Sequence, residues 1–547
     1  YEVYVMDGTC IGIKQVCGDE LTIPNVYLKE NTGEQLSFLF AGAEYQKEVS
    51  SVETDLSLGV CDVIVQDLEI TALHMKQDQI EGELLSYDEE NIEIRDYGKI
   101  AHPKNLPVYQ TYGEITEKSI SDIVLGNMNV SYITAGTEVC AILIREPAKI
   151  KDIRVLLLAE DGGNYRRDVY LRCNTPATVS WGDGNEEVEA ETLLHMNDYL
   201  AAHEGKTIIV TPGEGGTLMI CAEDGSAVST PYSGTMEVRQ YEQGDTLVNQ
   251  LPFEQYLYAV VPSEMPSSFE KEALKAQAIC ARSYAYKHLT NVGYALYGAH
   301  VDDSTQFQVY NNNLEFDASN QAILATKGEM LRYGDDVVQA YYYSTSCGSG
   351  TDVTLWGSSK ESYPYYESRD IGSSERNINY MDEESFASFI KQKYDSDYDS
   401  TCNYYRWKMT VSDKDLSSSF DSKISDVGII QNIYVRKRVS GGAAVSVVVE
   451  GDKNTVTLDS ESLIRQAFGN AAVTLETNGG TVNTPYLPST FCIFESQEKD
   501  GEKYFVITGG GFGHGIGMSQ NAVNAMTKRG MSYKDILEFF YPGTKVA

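Results

Sequence analysis

Short apolar runs that alternate with polar residues, cut by Gly, Asn and Asp, fill the first part of the chain. Leu21–Tyr27, Gln35–Phe40, Val60–Gln66 and Ile92–Ile94 read as strands on this pattern. Tyr132–Leu143 reads the same way, with a turn at Thr134, Ala135 and Gly136. Residues 1–148 are therefore predicted as a β-rich domain, and a structural barrel-like module and a wall- or partner-binding module fit it equally. A new unit begins after Pro147. Its strands are Ile153–Gly163, which runs into a glycine turn, Asp168–Arg172, Thr207–Val210 and Leu218–Cys221. Glu186–Glu204 carries a helical pattern and reads as an insertion. This region spans residues 149–250.

The period then changes. Leu251–Val260 is a short amphipathic lead into VPSEMPSSFEKEALKAQAICARSYAYKH, residues 261–288. Proline disfavours helix in the residue before it, so Val261 and Met265 are predicted to be extended and Glu264 to lie on a stiff non-helical segment between Pro262 and Pro266. Ser267 reads as an N-cap with Glu270 as its capping-box partner. The Ala-, Leu-, Lys- and Gln-rich run beyond predicts a helix of about 20 residues. Seen alone, Glu264 reads either as a carboxylate that favours the positive end of that helix or as one presented for chemistry at its mouth.

A second helix is predicted near residues 315–326. Lys327–Tyr333 and Val337–Ser346 form a predicted hairpin, with the aromatic strand Tyr341–Tyr343 ending in the small-residue loop STSCGSGT, residues 344–351. Residues 358–403 are polar and turn-rich apart from a helix at Glu383–Lys393. Strands return at Tyr405–Thr410, Ile429–Val439, Ala443–Glu450 and Thr455–Leu458. The chain closes with GGGFGHGIGMSQNAVNAM, residues 509–526, where a glycine-rich loop delivers His514 and the pair Ser519–Gln520 to a helix start. Many short strands against few helices predict an α+β protein, β-rich and multidomain, with antiparallel pairing dominant.

Composition excludes some function classes. The 547 residues carry 43 Lys and Arg against 80 Asp and Glu, a net charge of −37, which repels phosphate backbones and anionic membranes. No nucleic-acid partner is expected. The glycine loop lacks a Gly-Lys-Ser/Thr and a dinucleotide fingerprint, so no nucleotide or other cofactor is expected either. No apolar run reaches the ~18 residues needed to cross a bilayer. The chain begins at Tyr1, which reads as an N-terminal signal or anchor removed or omitted and predicts an exported or anchored protein outside the cytoplasm. Ten cysteines are scattered without a CxxC, and the seven histidines form no HxxxH pair. A Cys10–Cys17 disulfide across a hairpin stays open beside the reading of buried, isolated thiols.

Taken together, VPSEMP, ALKAQAICARSYA, TQFQVY, YYSTSCGSGT, LWG and GFGHGIGMSQNAV resemble, in order, the blocks of the stage II sporulation protein D family (SpoIID/LytB domain). IRVLL at residue 153 and the closing YKDILEFFYPGTKV also fit, so the resemblance covers roughly residues 150–547. It implies a catalytic core over 251–547, with a β-rich insertion around residues 365–495. It also implies cleavage of the MurNAc–GlcNAc bond of peptidoglycan by a lytic transglycosylase that leaves 1,6-anhydro-MurNAc ends. The family's acid/base glutamate falls on Glu264. One carboxylate suffices in such chemistry, because the sugar's own C6 hydroxyl replaces the water for which a hydrolase needs a second carboxylate.

By the same resemblance, Arg282, Tyr343, Ser346, Cys347, His514, Ser519 and Gln520 are candidate substrate-binding residues. Tyr343 would stack on sugar, and His514 or Gln520 would orient the sugar or bond to the carboxylate. Lys275 lies close to Arg282's face of the helix, and Gln277 well off it. The turns bearing Glu264 and His514 are expected to converge on one cleft walled by Ser346 and Cys347. Some family members bind zinc through a C-x-x-x-x-H-C-Q block. Its positions here are Val301, Gln306 and Phe307, which predicts no zinc, with His300 and Cys347 left over. Relatives described as modifiers of autolytic amidases imply a second reading, in which the chain is a wall-binding activator of other cell-wall hydrolases and not itself an enzyme.

Overall fold

The computed structural model describes residues 2–6, 9–15, 20–49, 57–67, 69–149, 151–289, 293–310, 316–469 and 474–547, with side chains from residue 20 onward. The protein is α+β and β-rich, 39% strand and 21% helix. Its chain forms two compact units. One comprises Tyr1–Tyr256 with His288–Asn313, the other Leu257–Lys287 with Leu314–Ala547.

The alternating runs near the start of the first unit become a five-stranded antiparallel sheet. In spatial order its strands are Ala43–Glu48, Gln35–Phe40, Glu20–Asn31, Gly59–Gln66 and Glu69–Met75. Val26, Leu28, Leu36, Phe38 and Cys61 form the buried cluster of this sheet. A second five-stranded sheet holds the predicted pair, Val130–Ala135 and Glu138–Ile144, in antiparallel register. Further on, a seven-stranded sheet includes Asp152–Leu156, Ile208–Pro212, Thr235–Tyr241 and Gly244–Pro252. The predicted helical insertion is helical only over Met196–Ala202, and the strands Gly184–Val188 and Leu193–His195 with the turn between them take its first half. Inside the unit, Arg154, Glu237, Arg239 and Glu93 lie at most 4% exposed. Arg239 reaches Glu93 at 3.0 Å and Glu237 at 2.8 Å, and Arg154 pairs with Glu237. Each buried charge thus meets an opposite one, the condition under which burial is tolerated.

In the second unit the core is a five-stranded antiparallel sheet built on Trp407–Ser412 and Glu502–Gly509. The meander Ile430–Arg438, Ala444–Gly451 and Thr455–Leu458 and two short helices, Asp413–Lys423 and Glu461–Phe468, accompany it. Phe420, Ile464, Phe468 and Ile507 are buried in their common core. Sequence reading missed both helices. Each starts on a serine cap, Ser412 or Ser460.

The long helix runs Lys271–Leu289, 19 residues, with Ala273, Ala276, Ala278, Ala281 and Ala285 buried. Its start corrects the expected cap. Ser267 lies in a turn outside the helix, and the Glu270 N–H instead donates to Asn524 Oδ1 at 3.0 Å, a partner 254 residues away. Glu264 is also relocated, because Phe253–Glu264 is a helix with Pro262 inside it. Burial decides this: Leu257, Val260, Val261 and Met265 are at most 1% exposed, and their packing outweighs the local bias of proline. Among the described residues no helix is long and apolar enough to cross a membrane. Eight cysteines, from Cys61 to Cys492, are free thiols, and the Cys10–Cys17 question lies outside the described side chains.

Candidate active site

Three segments of the second unit meet around residue 519. Tyr342–Tyr343 runs parallel to Met518–Ser519, with Tyr343 opposite Ser519. The predicted hairpin is thus corrected: Leu331–Tyr333 pairs with Asp336–Val337, and the aromatic strand pairs with the glycine-rich segment. The glycines explain the new pairing. A Cβ on Gly513 would lie 2.7 Å from the Tyr343 Cβ, and one on Gly517 would lie 2.1 Å from the Tyr341 carbonyl oxygen. Both residues have positive φ, +111° and +74°. The loop's small residues admit another chain segment.

Ser519 opens the helix Gln520–Lys528, its Oγ accepting from the Ala522 N–H at 3.4 Å. The same hydroxyl donates to Asp399 Oδ2 at 3.0 Å. Ser346 donates to that oxygen twice, from its backbone N–H at 3.0 Å and its hydroxyl at 2.5 Å. Asp399, Ser346 and Ser519 are essentially inaccessible. Burial pushes the Asp399 carboxyl up to about 6, against the lowering effect of its Ser346 and Ser519 donors. Sequence reading missed Asp399, which lies in a polar, turn-rich stretch with no period to mark it. It clasps the small-residue loop to the helix start. Asn521 reinforces the clasp, its Nδ2 donating to the Ser344 carbonyl and Thr345 Oγ1, both at 3.0 Å.

Gln520 joins this assembly to the Glu264 segment. Its Nε2 donates to the Glu264 main-chain carbonyl at 2.9 Å, across 256 residues of sequence, and lies 3.4 Å from Gln277 Oε1. Gln277 is completely buried and its Nε2 has no hydrogen-bond partner among the described residues. Glu264 is half-buried, the last residue of its helix. Gln520 thus ties the Glu264 segment to the helix that follows the glycine loop, while Ser346 and Cys347, expected to wall a shared cleft, are buried.

The other candidates take supporting positions. His514 Nδ1 accepts from the Ile516 N–H at 3.0 Å, which leaves Nε2 as the protonated nitrogen donating to the Tyr342 carbonyl at 3.0 Å. Burial holds this imidazole down at about 4, so it is neutral at physiological pH, and both nitrogens are engaged by main-chain groups. Orienting a sugar or bonding to the carboxylate would need a free nitrogen, which corrects the expected role. Tyr343 is 5% exposed, its ring 5.6 Å from that of His514, and its buried hydroxyl lacks a partner among the described residues. It offers no open face for a sugar. Arg282 is inaccessible and donates to the carbonyls of Glu329 at 3.1 Å and Ile323 at 3.4 Å, a packing role within the unit. Cys347 is buried and its thiol is pushed up to about 11, mainly by that burial, so it is inert. In the first unit His300 is engaged on both nitrogens, by the Arg154 N–H at 3.0 Å and the Leu125 carbonyl at 3.3 Å.

Against known families, residues 241–333 match the family described as Stage II sporulation protein, SpoIID, and residues 354–517 match a domain of unknown function. The stage II sporulation protein D of Bacillus subtilis (strain 168) is 26% identical over 58% of this chain and 81% of its own length. That of Bacillus amyloliquefaciens is 26% identical over 63% of this chain and 88% of its own. The amidase enhancer of Bacillus subtilis (strain 168) is 28% identical over 53% of this chain, and the match spans 40% of the enhancer's length. The chain thus carries a match to the SpoIID family over residues 241–333, and its similarity to stage II sporulation protein D extends beyond that segment.

Proposed function

We propose that this chain cleaves peptidoglycan glycan strands as a lytic transglycosylase acting outside the cytoplasm, with Glu264 as the single acid/base. Glu264 gives its proton to the glycosidic oxygen as the C1–O bond breaks. The C6 hydroxyl of the same MurNAc attacks C1, and Glu264 takes the C6 proton, closing the 1,6-anhydro ring without consuming water. The observation that carries the reading is the half-buried Glu264 of the VPSEMP block, fixed by the Gln520 bond to its own carbonyl. Gln520 and the Ser346–Asp399–Ser519 clasp hold the backbone around it. Mass spectrometry of glycan strands incubated with the purified chain tests this. New anhydro-MurNAc ends support it, and reducing ends alone or unchanged strands contradict it.

A second reading is favoured by the relative named an amidase enhancer. The chain would then bind wall and raise the activity of a separate amidase. In that case anhydro ends stay absent, and added chain accelerates release of stem peptides by the amidase.

A further inference from the structure

The sequence assigned sugar stacking to Tyr343, which is buried. An aromatic side chain that packs on the same His514 ring is not. Trp356 is 41% exposed, in a unit whose Trp407 is 2% exposed. Resting on the glycan reading above, we propose that Trp356 is the platform on which a pyranose ring of the strand stacks, a few sugar rings along from the bond that is cut.

Trp356 is held before any ligand arrives. It ends the turn Val353–Trp356, whose Val353 and Leu355 are buried. Asp352 caps the turn by accepting from the Thr354 N–H at 3.0 Å and pairs with Lys360 at 2.6 Å. Gly357, with φ +76°, closes it in the left-handed region that favours glycine. The indole meets Tyr341 edge-on at 4.9 Å and His514 at 5.0 Å, so its packed side is fixed by two rings. Single exposed aromatics are ordinary on protein surfaces. Tyr434 and Tyr486 are as exposed. What sets Trp356 apart is its contact with the His514 loop. A large, flat, apolar face that is already ordered loses little further freedom on binding, and it suits the C–H face of a sugar.

The long helix relates this platform to Glu264. Gln277, Cys280 and Tyr284 follow at spacings of three and four and share one face. At one end of that face, Gln277 meets Gln520, which holds the Glu264 carbonyl. At the other end, the Tyr284 ring lies 5.9 Å from Tyr341, which packs on Trp356. A rise of 1.5 Å per residue puts the two ends about 10 Å apart along the axis. An offset of that order suits a platform that holds a sugar other than the one whose bond breaks.

The test uses the full chain carrying Glu264→Gln, so that strands are bound without being cut. Glycan strands freed of stem peptides are the probe, with binding read by co-sedimentation and by tryptophan emission. Adding Trp356→Ala should weaken binding by about tenfold and abolish the emission change. Adding Trp356→Phe should keep most of the affinity, and equal melting temperatures exclude a folding defect. Unchanged affinity in the Trp356→Ala chain would overturn the platform while leaving the glycan reading intact. If the Glu264→Gln chain does not bind the strands at all, the glycan reading fails and the platform falls with it.

Discussion

In the first unit, buried Glu237 and Glu93 are matched by Arg154 and Arg239, whereas in the second the buried carboxyl of Asp399 is held by the hydroxyls of Ser346 and Ser519 and a backbone N–H. Burial acts to raise both kinds of carboxyl, and the partners decide the outcome. For Glu237, Arg154, Arg239 and Arg95 outweigh burial and hold the carboxyl down at about 2. For Asp399, neutral donors fall short and it stays near 6. The first arrangement is a lock that stays charged across physiological pH. The second is responsive, and it sits where the small-residue loop joins the helix bearing Gln520.

Breaking the lock should give the largest stability effect. Arg154→Met leaves Glu237 short of a partner in a dry interior and should cost about 3–5 kcal/mol in denaturant unfolding. A loss below about 1 kcal/mol would mean that the network is not the element that holds this unit together.

Acid should then separate the two arrangements by sign. Glu237 binds its proton less readily folded than unfolded, so its stabilisation is present above about 4.5 and is lost as pH falls toward about 2. Asp399 is the reverse. The folded state binds its proton more readily, so this group adds stability as pH falls from about 6 toward its unfolded value of 3.8, and removes it as pH rises. His514 opposes it, because a lowered imidazole loses stability as pH falls from 6.5 toward about 4. Comparing the parent with Asp399→Asn isolates the carboxyl. Relative to Asp399→Asn, the parent should gain about 2 kcal/mol of unfolding free energy between pH 7.5 and pH 4.5. A gap independent of pH would contradict the raised carboxyl.

The smallest effect belongs to the cap. Ser519→Ala removes one donor to Asp399 and the cap of the Gln520 helix, and should cost about 1–2 kcal/mol, measured by thermal unfolding. A Ser519→Thr chain should recover much of it.

Alternating strands such as Gln35–Phe40 and Thr455–Leu458 were legible residue for residue, because alternation and bounding turn residues are local signals. The long helix was legible through its alanines, but its start was not, since Asn524 supplies what Ser267 was expected to supply. Pro262 misled for a related reason: the burial that keeps its helix intact is a property of the fold. At the site, the family motif singled out Glu264, Ser519 and Gln520. Asp399 emerged only from three-dimensional neighbours, and Trp356, present in the LWG block, took on a role only through them. His514 and Tyr343 were found in the right place with their functional groups turned inward, because a motif names residues and says nothing of which way they face.

The claim that Glu264 does the chemistry is tested most directly by comparing anhydro-MurNAc formation by the parent and by Glu264→Gln on the same glycan strands. The account predicts a loss of about 10²–10⁴-fold, with the melting temperature and strand binding unchanged. Anhydro ends formed by Glu264→Gln at the parental rate would contradict it.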